Sequence, residues 1–209
     1  MEVKDLSWNE ILSKRFNSPL LPKSIRGVIV GKSGCGKTTL LLNLLLRPGW
    51  LDYNNLQVFG KSLFQPEYKI LKKVFEEKLP KKAIIRLFDN QDEIMKLSES
   101  LRWPEGHIAT LVVQEMAKNI DQKSDIDCRF FETSEDVPDP RDLNNGKKNL
   151  MIFDDLQLEK QNKCEAYYIR GRHCNVDYFY LAQNYFKLLR QTIRENANFI
   201  CLFSQDHKN

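Results

Sequence analysis

No apolar run in this chain approaches the roughly 20 residues that a helix needs to cross a bilayer. The longest candidate, Leu40 to Leu46, is interrupted by Asn43 and closed by Arg47-Pro48-Gly49. The first residues, Met1 to Asp5, carry no signal-peptide pattern, so the expectation is an intracellular protein with no membrane partner. Cysteine is sparse and unpaired in pattern: Cys35, Cys128, Cys164, Cys174 and Cys201 are odd in number and form no C-x-x-C, which favours reduced thiols over a disulfide framework. Cys164, His173 and Cys174 follow no familiar zinc-ligand spacing. Neither sign of charge dominates, with 32 Lys/Arg against 28 Asp/Glu, and a net charge of +4 is too mild to argue for nucleic acid by itself. A basic excess from Glu159 to Arg194 and an acidic stretch from Glu132 to Asp142 read, on charge alone, as solvated surface. Internal repeats and low-complexity tracts are also missing.

What is present is an ordinary globular composition, 42% hydrophobic and 29% charged over 209 residues, enough for one sizeable α/β core. Within it, Gly31 to Thr38 reads G-K-S-G-C-G-K-T, a full G-x-x-x-x-G-K-[ST] phosphate-binding loop. It directly follows the apolar run Gly27-Val28-Ile29-Val30 and directly precedes a leucine-rich helical stretch. Glycines there let successive backbone N–H groups turn inward onto phosphate oxygens at the positive end of a helix dipole. Gly31, Ser33, Gly34, Cys35, Gly36, Lys37, Thr38 and Thr39 are the expected nucleotide-binding residues. Lys37 would neutralise the β/γ-phosphates and Thr38 would offer its hydroxyl to Mg²⁺.

The rest of the chain alternates strand and helix signals. Residues 1–24 read as a short helix or arm packed on the core, and 25–209 as one domain. Strands are expected at Ile25–Val30, Asn55–Gly60, Ala83–Phe88 (the weakest), Asn149–Phe153, Val176–Leu181 and Asn198–Phe203. Helices are expected at Lys37–Arg47, with leucine on every side and therefore buried, at Gln65–Lys78, Gln91–Leu101, Lys160–Arg172 and Phe186–Asn196. His107–Met116 suits either state. Residues 121–148, polar and rich in turn signals, read as a long surface loop. The fold class that follows is α/β: a central, mainly parallel sheet covered by helices on both faces.

Two further constellations complete a catalytic set. Leu150-Met151-Ile152-Phe153-Asp154-Asp155 is four apolar residues closed by two acids, the form of a Walker B strand. A buried strand can present carboxylates only at its end, beside the phosphate loop, so Asp154 is the metal-side residue and Asp155 the base that polarises the attacking water. Over a hundred residues separate the two motifs, which leaves room for a strand inserted between theirs, as in P-loop NTPases of the additional-strand, catalytic-acid type. Third, Tyr178-Phe179-Tyr180-Leu181-Ala182-Gln183 is an aromatic strand ending in an amide able to bond the γ-phosphate or the lytic water.

The set G-K-S-G-C-G-K-T-T, N-L-M-I-F-D-D-L and Y-Y-I-R-G-R-H…Y-F-Y-L-A-Q-N-Y-F-K-L-L-R-Q-T-I-R-E-N-A-N resembles the genome-packaging ATPases of double-stranded DNA viruses, particularly those of virophages and polinton-like elements. These belong to the FtsK/HerA superfamily and are relatives of the poxvirus packaging ATPase. The resemblance spans about Ile25 to Phe203, and its most distinctive part is Arg170 to Asn198. It implies Mg²⁺-dependent ATP hydrolysis by a homo-oligomeric ring, commonly a hexamer, with double-stranded DNA through its centre and a capsid or portal protein as partner. It also implies work in the host cytoplasm or viral factory, with association to the virion. An arginine from the neighbouring subunit would stabilise the γ-phosphate, with Arg172 favoured among Arg170, Arg172, Arg190 and Arg194. Asp155 departs from the Glu that many superfamily members carry at that position. Two rival readings are a P-loop nucleotide kinase, which would need an arginine-bearing lid and an acceptor pocket, and a nucleotide-dependent assembly protein without turnover.

Overall fold

The computed structural model describes residues 17–90, 96, 99–101, 105–143, 146–156, 162–185, 188 and 191–204. In chain order the strands are β1 (Arg26–Val30), β2 (Asn55–Gly60), β3 (Asp127–Phe131), β4 (Asn149–Asp154), β5 (Val176–Ala182) and β6 (Phe199–Leu202). The helices are α1 (Lys37–Leu46), α2 (Pro66–Glu76), α3 (Lys81–Asp89), α4 (Glu105–Lys118), α5 (Asn162–Arg170) and α6 (Gln191–Asn196). The strands form one sheet in the order β3-β2-β4-β5-β1-β6, and every neighbouring pair is parallel.

A parallel sheet buries both faces, so its central strands must be apolar throughout. β4 and β5 are buried at every position, and Val28, Ile29 and Val30 of β1 are fully enclosed. Period-two alternation divides them: Ile29, Ile152, Phe179 and Leu181 pack with α1, α2 and α4 on one face. Val28, Val30, Phe153, Tyr178 and Tyr180 pack with α5 and α6 on the other. That second face is aromatic, with Tyr168 edge-on to Tyr178 at 4.7 Å and Phe131 stacked on Phe59 at 4.8 Å.

Three expectations are corrected. Ala83–Phe88 belongs to helix α3, not to a strand. Pro80 starts that helix, because its carbonyl accepts from Ala83 N and Ile84 N at 2.9 and 3.2 Å. The stretch 121–148 is not one loop: it contributes edge strand β3, parallel to β2, and 3-10 turns at Ser134–Asp136 and Pro140–Leu143. The strand lying between β1 and β4 is β5, which follows the acids in sequence, whereas the hundred residues before them build α1 to α4, β2 and β3. His107–Met116 lies within α4. Most of the expected helix Gln91–Leu101, the start of Phe186–Asn196 and the arm 1–16 fall outside the described residues.

The amino-terminal rim is closed by a buried ion pair. Lys148 Nζ lies 3.1 Å from Asp177 Oδ2, with side-chain exposures of 6% and 4%. Asp177 also accepts from Ile25 N at 2.8 Å and from Asn17 Nδ2 at 2.5 Å, joining the starts of β1, β4 and β5 to the segment before them.

Candidate nucleotide-binding and hydrolysis site

Parallel register brings the carboxyl ends of four strands to one rim. Val30 pairs with Ala182, Leu181 with Asp154, and Asp154 with Gly60. The two motifs then hang from successive carbonyls of β5: Gly31 N donates to Ala182 O at 3.0 Å on one side, and Asp155 N donates to Leu181 O at 3.4 Å on the other. Residues more than a hundred positions apart in sequence are thereby one strand apart in space. This is the crevice outside the strand carboxyl ends in which open α/β sheets bind ligands.

Each loop residue has a local reason. Gly31 is glycine for lack of space, because a Cβ there would lie 2.4 Å from Cys35 Sγ and 2.7 Å from Phe203 Cβ. Gly34 and Gly36 are glycine for conformation, with φ of 75° and 97° in the left-handed region. Gly36 is the N-cap of α1 and supplies no side-chain cap, so the first amides of the helix are left for an anion. Lys37 Nζ donates to Gly31 O at 2.6 Å and Lys32 O at 2.7 Å, which holds the ammonium against its own loop. Ser33, Gly34 and Thr39 are exposed, and Cys35, Lys37 and Thr38 half-buried.

On the other side, Asp154 is 7% exposed and accepts from Tyr68 Oη at 2.6 Å. Burial raises its pKa above the ordinary carboxylate value, and the Asp155 charge adds to this, while the Tyr68 hydrogen bond and the Lys37 ammonium oppose it. Lys37 and Asp154 therefore feel each other across the rim. Asp155 has φ of 54°, a left-handed conformation for a non-glycine residue, which turns the chain sharply off the strand end. Its carboxylate oxygens sit 3.4 and 3.5 Å from Gln183 Nε2, a long contact between two solvent-accessible groups. The structure thus assembles Lys37, Asp154, Asp155 and Gln183 at one rim.

The donor set fits a divalent cation bound together with phosphates. A buried carboxylate whose charge is disfavoured by burial and by a second acid is relieved by a cation, and Thr38 and Asp154 are both oxygen donors. A divalent cation held by these donors would supply charge neutralisation to a bound phosphate chain.

No family model and no curated protein matches the chain. Among solved structures, VirB4 of Thermoanaerobacter pseudethanolicus is similar over 87% of this chain and 77% of its own, at 12% identity and a TM-score of 0.43. The cytoplasmic domain of EssC is similar over 85% of this chain and 32% of its own, at 13% identity and a TM-score of 0.40. At that distance they bear on neither substrate nor mechanism.

The arginines are placed elsewhere in the chain. Arg170 is exposed at the end of α5, and Arg172 belongs to the 3-10 turn Gly171–His173 that precedes β5. That turn lies at the amino-terminal rim, where Asn175 O accepts from Asn149 N, at the end of the sheet opposite the loop Gly31–Thr38. Arg194 is half-buried on α6, and Arg190 lies outside the described residues. Among the described residues no group of three or more His, Cys, Asp or Glu is placed to hold a metal ion by itself. No described helix is long and apolar enough to cross a membrane. Sequence reasoning missed Tyr68 and Phe203. Tyr68 counted only as one position of an apolar stripe, and its hydroxyl was the available signal.

Proposed function

We propose that this chain is a Mg²⁺-dependent ATPase whose turnover drives movement of double-stranded DNA. The observation that carries the hydrolytic part is the suspension of the phosphate loop and the twin aspartates from adjacent carbonyls of β5, with Gln183 against the second acid. In this reading the amides of Gly34 to Thr38 cradle the triphosphate and Lys37 exchanges its loop carbonyls for phosphate oxygens. Thr38 and Asp154 hold the cation. Asp155 accepts a proton from the attacking water, and Gln183 orients that water and reports the γ-phosphate. The different environments of the two acids, Asp154 buried and Asp155 half-exposed, support giving them different roles.

The motor part rests on the sequence resemblance: packaging of viral DNA into a capsid by a ring, commonly hexameric, with an arginine supplied across the subunit interface. Arg172 remains the residue assigned to that role. DNA contact falls on phosphates, since a motor must run over any sequence. A capsid or portal protein, and a site of action in the host cytoplasm or viral factory, belong to the same reading. Steady-state phosphate release with and without long duplex DNA, beside a mass measurement of the assembly, tests it. DNA-stimulated turnover by a ring is expected. ADP formation that responds to nucleoside monophosphates and not to DNA would make the protein a nucleotide kinase.

A further inference from the structure

Tyr68 lies on α2 within an otherwise aliphatic and phenylalanine stripe, where filling the core requires a ring but not a hydroxyl. It is 1% exposed, and its hydroxyl reaches 86 residues along the chain to donate to Asp154 Oδ2 at 2.6 Å. The same segment clasps Asp154 from its other end. A Cβ on Gly60 would stand 2.9 Å from the Asp154 carbonyl oxygen and 3.3 Å from its Cβ, so the backbone of Asp154 is fixed against the end of β2. What remains free is rotation of the carboxylate, and the Tyr68 bond stops it. Oδ1, in contrast, receives no hydrogen bond from the described residues.

We propose that Tyr68 is a positioning residue for the metal centre: by occupying one oxygen of Asp154 it fixes the carboxylate plane and reserves the other oxygen for the divalent cation of a bound nucleotide. The inference rests on the reading of this rim as a metal–nucleotide site. Outer partners that orient metal-binding carboxylates commonly contribute 10- to 100-fold in metal affinity. Removing the Tyr68 hydroxyl is therefore expected to weaken metal binding without touching the phosphate cradle, which belongs to α1 and the loop before it.

The test is a fluorescent ATP analogue bound to the full chain and titrated with Mg²⁺, repeated with Mn²⁺, in wild type and Tyr68→Phe. Nucleotide affinity in chelator should be unchanged, and the Mg²⁺ midpoint should rise about tenfold. In an Asp154→Asn background the further change Tyr68→Phe should leave the midpoint where it is, because the group it orients is gone. An unaltered midpoint in Tyr68→Phe, or an equal shift persisting in the Asp154→Asn background, overturns the proposal. Should Tyr68→Phe alone not fold, a midpoint that Tyr68→Phe moves in the Asp154→Asn background overturns the proposal and an unmoved one sustains it. Lys37→Ala separates the two levels. Normal nucleotide binding by that variant removes the underlying reading, whereas its loss together with an unmoved Tyr68→Phe midpoint removes only the role of Tyr68.

Discussion

Gly31→Ala is the sharpest test of the loop geometry, because glycine is needed there for room and not for backbone freedom. The added methyl would stand 2.4 Å from Cys35 Sγ and 2.7 Å from Phe203 Cβ. The thiol can rotate away. The Phe203 Cβ cannot, because it is one bond from a backbone held by Phe203 N donating to Val30 O at 2.8 Å. Forcing a methyl into a packed site of this kind costs about 1–3 kcal/mol. That strain appears either as lost stability, roughly 2–4 °C in Tm per kcal/mol for a chain of this size, or as a displaced loop. At 1.4 kcal/mol per tenfold, full transfer to the loop weakens nucleotide binding roughly 5- to 150-fold. Thermal melting and titration with a fluorescent ATP analogue on the same sample capture both. A Cys35→Ala background should not rescue the variant, whereas Phe203→Gly should do so in part. Gly34→Ala offers a contrast, since nothing lies within 4 Å of its Cβ and only its φ of 75° opposes the change, at about 1–2 kcal/mol. Unchanged melting together with unchanged affinity in Gly31→Ala would mean that the site has room for the methyl and that glycine is not required there.

Asp177→Ala leaves the buried Lys148 ammonium, the Ile25 N–H and the Asn17 amide without their acceptor. The expected loss is about 3–5 kcal/mol, read as a lower denaturant midpoint at constant slope, and a loss below about 1 kcal/mol contradicts it. The Asp154 carboxyl is held above its ordinary pKa chiefly by burial, so its contribution to the stability of metal-free protein is full below pH 3.8 and is lost as pH rises through the elevated value. Asp139, held down at about 2 by Arg141, works in the opposite sense at lower pH, so the measurement is the difference between wild type and Asp154→Asn. That difference should grow in favour of Asp154→Asn as pH rises above the ordinary carboxylate range and then level off. A difference flat across pH 3 to 8 would contradict the assignment.

That the glycine-rich loop from Gly31 and the acids Asp154 and Asp155 end buried strands was legible in sequence, because each directly follows an uninterrupted apolar run. β1, β4 and β5 were equally legible, being buried on both faces and hence uninterrupted in hydrophobicity. Edge strand β3 was not. Asp127 and Arg129 are exposed, so D-C-R-F-F carries only half the signal of a central strand. Helix α3 was read as a strand because Ala83 to Phe88 is too short an apolar run to reveal its period. A strand between β1 and β4 was expected from the length of the stretch before the acids, whereas β5 after them supplies it, since spatial order is not written in sequence order. Tyr68 bonded to Asp154, and Lys148 paired with Asp177, are juxtapositions of distant segments that no local pattern announces.

In the proposed reaction Lys37 holds a triphosphate while Asp155, across β5, activates the water that cleaves it. Single-turnover phosphate release, with bound nucleotide quantified in parallel, tests it in Lys37→Ala and Asp155→Asn. Lys37→Ala is expected to bind no nucleotide, and Asp155→Asn to retain ATP while hydrolysis falls by about 10²–10⁴-fold. Undiminished hydrolysis in Asp155→Asn would contradict it.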